Sequence, residues 1–227
     1  MQPNRFSRLV SLIGEDKFNN LSKKTVLIVG LGGVGGYVVE SLARIGISNI
    51  IIVDYDTVDR TNINRQIIAL ESTIGLKKVD LFEKRIKDIN PECNVVKYDL
   101  FLDDCNISKI INKNIDYIID ACDSMNTKKL LIKTSIDKNI PIISSMGTAN
   151  KLDPKKLEII DIKKTYNDPV ARIMRKYVKD LKINKKIMVL SSSELPQKNG
   201  NVLASNSFVP PSAGLLIGNY VFKELIK

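Results

Sequence analysis

An α/β fold built on a doubly wound, mainly parallel sheet is what this 227-residue sequence predicts. Three observations predict it. Short β-branched apolar runs alternate with stretches of helical length through the first two-thirds of the chain, the rhythm of strand–helix–strand units. The first run, TVLIV, leads into a glycine turn, GLGGVG, and then an amphipathic stretch. The second run, NIIIV, closes on Asp54, 24 residues beyond Gly30.

Taken in order, MQPNRFSRLVSLIGEDKF reads as an amphipathic helix. Its scattered charges leave no uninterrupted apolar core, so it is not expected to be a secretory signal. Strands are predicted at 25–29, 49–53, 94–98, 116–120 and 141–145, and helices at 34–46, 76–90, 106–113 and 126–139. The helix at 76–90 gathers Val79, Phe82, Ile86 and Ile89 on one face and stops before Pro91, which cannot continue it. From Gly147 the rhythm changes: KLEIIDI and KIMVL read as strands, 168–186 as a basic helix, 191–207 as a Ser/Pro/Asn-rich loop and 212–226 as a last helix. Residues 147–211 are therefore expected to form a C-terminal insertion that covers one end of the sheet, adds antiparallel strands and is flexible around SSSELPQKNGN. The whole chain, 1–227, is expected to be one domain.

Composition narrows the chemistry. No apolar run approaches the length that spans a bilayer. Cys93, Cys105 and Cys122 form no CxxC pair, which fits a reducing cytoplasm and disfavours both a disulfide scaffold and a thiolate zinc site. Histidine is absent, which excludes Ser-His-Asp and Cys-His nucleophile systems and imidazole metal ligands. Catalysis must rest on cations, carboxylates, amides and positioning. Residues 151–190 hold twelve lysines and arginines against five acids, and so carry seven of the ten net positive charges. Arg172, Arg175, Lys176, Lys179 and Lys182 cluster on one or two helix faces there, giving either a solvated surface or a footprint for nucleic-acid phosphates.

The candidate site lies at the carboxyl ends of the strands. Gly30, Gly32, Gly33 and Gly35 let backbone N–H groups approach a phosphate, and the helix N-terminus beyond them favours an anion. Asp54 falls where a ribose hydroxyl needs an acceptor. The amide-rich YDTVDRTNINRQ puts Asn62, Arg65 and Gln66 just past that edge, and Lys78 opens the next helix. Two cations beside a glycine loop suit a triphosphate, because displacement at phosphorus builds charge that Arg65 and Lys78 stabilise. DYIIDACDSMNTK ends with Asp120 and Asp123; Asp120 is expected to be structural, and Asp123, further into the loop, is the Mg²⁺ candidate.

GLGGVG, Asp54, TNINRQ, GLKK with Lys78 and DACD with Asp123 together resemble, in order and spacing, the ThiF/MoeB superfamily of ubiquitin-activating-enzyme-like adenylating proteins over residues 5 to about 150. That resemblance implies a Rossmann-like ATP-binding adenylation domain. The glycine loop would sit at the phosphates, Asp54 at the ribose, Asn62, Arg65 and Lys78 around the triphosphate and Asp123 on magnesium. It also implies a homodimer in which an N-terminal arginine, Arg8 or else Arg5, reaches the neighbouring protomer's ATP. Members that activate carrier proteins usually bear a CxxC…CxxC zinc site, and many have a catalytic cysteine after the sheet; here no cysteine follows Cys122. INPECNV, NRQIIALESTIGLKK, DIKKTYNDPVARIMRK and VLSSSELPQ are instead similar to the tRNA threonylcarbamoyladenosine dehydratase branch. This second resemblance implies adenylation of a carboxylate on adenosine 37 of tRNA, followed by ring closure from within the same modification and loss of AMP. Ring closure of that kind needs no enzyme thiol. A cysteine desulfurase or sulfur-acceptor protein is a further candidate partner. The alternatives are an adenylyltransferase acting on a ubiquitin-like sulfur carrier and a non-catalytic NAD-binding protein.

Overall fold

A computed structural model of the chain describes residues 4–112, 114–197 and 203–227. Seven strands form one sheet: β1 (Thr25–Val29), β2 (Asn49–Val53), β3 (Asn94–Tyr98), β4 (Tyr117–Asp120), β5 (Ile142–Ser145), β6 (Leu157–Asp161) and β7 (Met188–Ser192). Their spatial order is β3-β2-β1-β4-β5-β7-β6, and all pairings are parallel except that of β6 with β7 at the edge. The chain winds outward in opposite directions from β1 and β4, so a crevice opens between their carboxyl ends.

Alternation along the strands divides the core in two. Val26 and Ile28 of β1 join a cluster with α3 (Gly35–Arg44), α4 (Lys78–Ile89) and α8 (Val209–Leu225). Leu27 and Val29 join another with α5 (Ile107–Ile110), α6 (Met125–Asp137) and α7 (Pro169–Asp180). α8 crosses α3 closely because Gly214 and Gly218 have no side chains. A Cβ at those positions would collide with the Val34 carbonyl and the Ser41 hydroxyl. Both faces of the sheet are thus covered, as a parallel sheet requires.

Several elements differ from the sequence expectation, each for a local reason. The N-terminal helix is two, α1 (Ser7–Ile13) and α2 (Glu15–Ser22), separated by Gly14 at φ +88°. α4 starts at Lys78 and not at 76, since Val58 and Thr57 still hold Leu76 and Lys77 in extended pairing. α5 is shortened to four residues. The basic helix α7 ends at Asp180, where Leu181 caps it and Lys182 turns to φ +53°. α8 begins at Val209 because Pro210 and Pro211 are accommodated in a first turn, whose N–H groups have no helical partner. Residues 147–211 widen the sheet with β6 and β7, and β7 takes Ser191 and Ser192 out of the expected loop. The expected flexibility of SSSELPQKNGN falls partly on 198–201, outside the described residues.

Candidate active site

The crevice is a cavity of about 820 Å³ at the carboxyl ends of β1, β2, β4 and β5. Among the sequence-predicted residues, Gly30, Gly32, Gly33, Asp54, Asn62, Arg65, Gln66, Lys78 and Asp123 all line it. Gly35 does not line it and opens α3 behind the loop. Its role is one of space: a side chain there would strike the Gly30 carbonyl. Gly30 itself, at φ +89°, lies so close to the loop after β4 that a Cβ would be 2.6 Å from the Cys122 nitrogen. Only glycine permits that approach. The glycine loop and the loop carrying Asp123 are consequently packed backbone against backbone.

Asp54 is almost buried, and its carboxylate accepts the Leu31 N–H at 2.6 Å and the Asp56 N–H at 2.8 Å. Burial pushes its carboxyl above the ordinary value, against these amides and Lys78, which favour the charged form. Lys78, also buried, donates from Nζ to Asp56 Oδ2 at 2.8 Å, while its backbone N–H donates to the Asp56 carbonyl at 3.1 Å. Asp56, absent from the sequence-predicted residues, therefore belongs to the site. Its signal was the DYD spacing: with Asp54 turned back onto the glycine loop, an acid two positions on is the next carboxylate at the rim.

Arg65 is half-buried, donates to the Thr61 carbonyl and to Asn64 Oδ1, both at 3.0 Å, and lays its stem over Gly33. Asn62 is buried and accepts the Asp59 N–H at 3.2 Å within the 3₁₀ turn Arg60–Asn62. Gln66 is buried with Nε2 toward Gly32, and its Oε1 has no hydrogen-bond partner among the described residues. An unmet buried acceptor on a cavity wall is a place where a ligand's donor gains. At the mouth, Tyr55 and Phe101 meet edge-on, their centroids 5.3 Å apart.

The acid that ends β4 and the one just beyond it differ in burial. Asp120 is fully buried, bonded to Lys128 and to the Ser144 hydroxyl, whereas Asp123 is exposed to the cavity. No group of three or more His, Cys, Asp or Glu side chains able to hold a metal occurs among the described residues. A single carboxylate fits Mg²⁺ bound mainly through water and phosphate oxygens and fits a protein-only cation cage poorly. Cys93 and Cys122 offer no thiolate: burial raises Cys93 to about 11 and lifts Cys122, which donates to Asp120, well above the thiol range. Cys105 is exposed and does not line the cavity.

Arg8 is exposed on α1 and does not line the chain's own cavity. Arg5 donates to the Ile89 carbonyl at 2.7 Å, at the opposite end of α4 from Lys78, roughly 16 Å along the helix axis. Neither arginine is brought to the cavity of its own protomer. Among the described residues no helix is long and apolar enough to cross a membrane.

A glycine loop, a buried acid and two cations lining one crevice define a nucleotide-binding α/β protein, and the model of the ThiF family matches residues 6–169, so the chain belongs to that family. Its relatives are more particular. The tRNA threonylcarbamoyladenosine dehydratase of Bacillus subtilis is 41% identical over 241 residues, covering 98% of this chain and 95% of the relative. The crystal structure of E. coli tRNA N6-threonylcarbamoyladenosine dehydratase in complex with ATP superposes with a TM-score of 0.92 at 32% identity, covering 98% of this chain and 93% of that one. The complex of the same enzyme with AMP gives a TM-score of 0.92 at 31% identity, covering 98% and 94%.

Proposed function

We propose that this chain is an ATP-dependent tRNA threonylcarbamoyladenosine dehydratase, which adenylates the carboxylate of the threonylcarbamoyl group on adenosine 37 and lets the modification close on itself. The observation that carries this reading is the convergence of Arg65, Lys78 and Asp123 on a single cavity floored by the glycine loop. ATP, as co-substrate, turns a carboxylate oxygen into a leaving group: a P–O bond forms at the α-phosphorus, pyrophosphate departs, and AMP leaves when the ring closes. Lys78 and Arg65 neutralise charge that builds on the phosphates, and Asp54 offers the acceptor for a ribose hydroxyl. Asp123 would hold Mg²⁺ together with phosphate oxygens. The absence of histidine and of any cavity thiolate is no obstacle, because the ring-forming nucleophile belongs to the substrate.

The tRNA side is supported by charge. α7 starts at the cavity rim, where Val170 contributes to the lining, and then carries exposed Arg172, Lys176 and Lys179 outward. Nucleic acid tracking that stripe would bring one base to the mouth. A homodimer in which Arg8 of one protomer enters the other's cavity accounts for an exposed arginine on α1 with no role in its own site. Work on tRNA with ATP is consistent with a cytoplasmic location. Mass spectrometry of tRNA nucleosides after incubation with enzyme, ATP and Mg²⁺ tests the reading: loss of one water from the threonylcarbamoyl nucleoside is expected. An unchanged nucleoside, with pyrophosphate exchange elicited by a Gly-Gly-ended carrier protein, would overturn it in favour of a carrier adenylyltransferase.

A further inference from the structure

Lys128 lines the cavity and is almost wholly buried. Its Nζ stands 3.2 Å from each carboxylate oxygen of Asp120 and 2.7 Å from the Ser145 carbonyl, so three donors meet three acceptors. Asp120 ends β4, Ser145 ends β5, and Lys128 lies in the first turn of α6. One ammonium thus ties two strands and a helix together beneath the cavity.

The loop Ala121–Ser124, which carries Asp123, hangs between the two members of this pair. At its start, Asp120 Oδ1 accepts the Cys122 N–H at 3.2 Å and the Cys122 thiol at 3.0 Å. At its end, Ser124 caps α6 by accepting the Thr127 N–H. In between, the Ala121 N–H donates to the Val29 carbonyl at 2.8 Å, and the peptide after Ala121 abuts Gly30. An apolar pair of similar volume would hold β4 on β5 at no greater energetic cost. It would not accept the Cys122 N–H, and the loop that carries Asp123 would lose that tether.

We propose that the buried Lys128–Asp120 pair is the positioning element for Asp123 and thereby sets the Mg²⁺ affinity of the nucleotide site, an inference that rests on reading Asp123 as the magnesium ligand. The test is the Mg²⁺ dependence of ATP binding, measured by titration calorimetry on the full chain and compared with binding of ATP without metal. Groups that orient a metal ligand change metal affinity by about 10–100-fold when removed, and Asp120→Leu/Lys128→Met, which removes the acceptor of the Cys122 N–H, is expected to raise the half-saturating Mg²⁺ concentration by that amount, leaving metal-free ATP affinity within roughly threefold. The double variant is used because Lys128→Met alone strands a buried charge and endangers folding. Lys128→Arg, which keeps the cation, is expected to restore most of the dependence. A folded double variant with wild-type Mg²⁺ dependence overturns the inference. Asp123→Ala is measured alongside: if it shifts the Mg²⁺ dependence and the double variant does not, positioning fails alone, whereas if Asp123→Ala changes nothing, the metal reading and the inference fall together.

Discussion

Two lysine–aspartate pairs stand at the same cavity and differ in access to water. Lys128 and Asp120 have side chains 3% and 0% exposed, and every donor of the lysine is already bound. Lys78 is 5% exposed, but its partner Asp56 is 46% exposed and holds it at a single contact. The sealed pair cannot change partners without opening the core, and so can act only by holding other groups in place. The half-open pair can exchange a carboxylate oxygen for a phosphate oxygen at little cost. Similar chemistry at different depth thus yields a sealed fastening and a cation whose partner is open to exchange.

Stability separates the two most strongly. Lys128→Met should lower the free energy of unfolding by about 3–5 kcal/mol, as breaking a buried pair does, with most of the loss recovered in Asp120→Leu/Lys128→Met; urea titration measures both. Lys78→Ala should leave the urea midpoint close to wild type, since Asp56 can turn to water, and lower turnover about 10²–10³-fold in a single-turnover nucleoside assay. An equal loss of stability in the two lysine variants would erase the distinction. A third set of cations, exposed on α7, marks the far end of the same scale. Arg172→Ala and Lys176→Ala should each reduce the slope of log affinity for tRNA against log salt by about 0.7–0.9 while leaving ATP binding unchanged, as read by fluorescence anisotropy across a salt series. The smallest effect is expected at Asp56→Asn. Removing a competing charge beside Lys78 should tighten metal-free ATP binding by roughly 1 kcal/mol, and weaker binding would mean that Asp56 steers Lys78 in place of restraining it.

What the sequence made visible was local pattern. The five strands of the first two-thirds, the glycine turn, Asp54 and the contrast between Asp120 and Asp123 all follow from runs and spacings within a few residues. What it hid was contact between distant segments. Asp56 meets Lys78 across 22 residues of chain that include two 3₁₀ turns, so the DYD spacing marks the acid without revealing its partner. Lys128 was discoverable, because Leu131, Ile132 and Ser135 follow it at i+3, i+4 and i+7 on the buried stripe of α6. A lysine in that register must find an anion inside, and Asp120 is the nearest acid at the end of a buried strand. The break at Gly14 and the stop at Asp180 were hidden for another reason: amphipathic periodicity continues past them, and only backbone angles end the helix.

The crossing of α8 over α3, made possible by Gly214 and Gly218, has a bearing on how the protein is made. α3 begins at the glycine turn, yet much of the apolar surface it rests on comes from Ala213, Ile217 and Val221, residues synthesised long after it. A nascent chain that already contains Gly30, Asp54, Lys78 and Asp123 still lacks the seat for its first crossover helix. The packing that seats α3 is therefore completed only once α8 has been synthesised and docks.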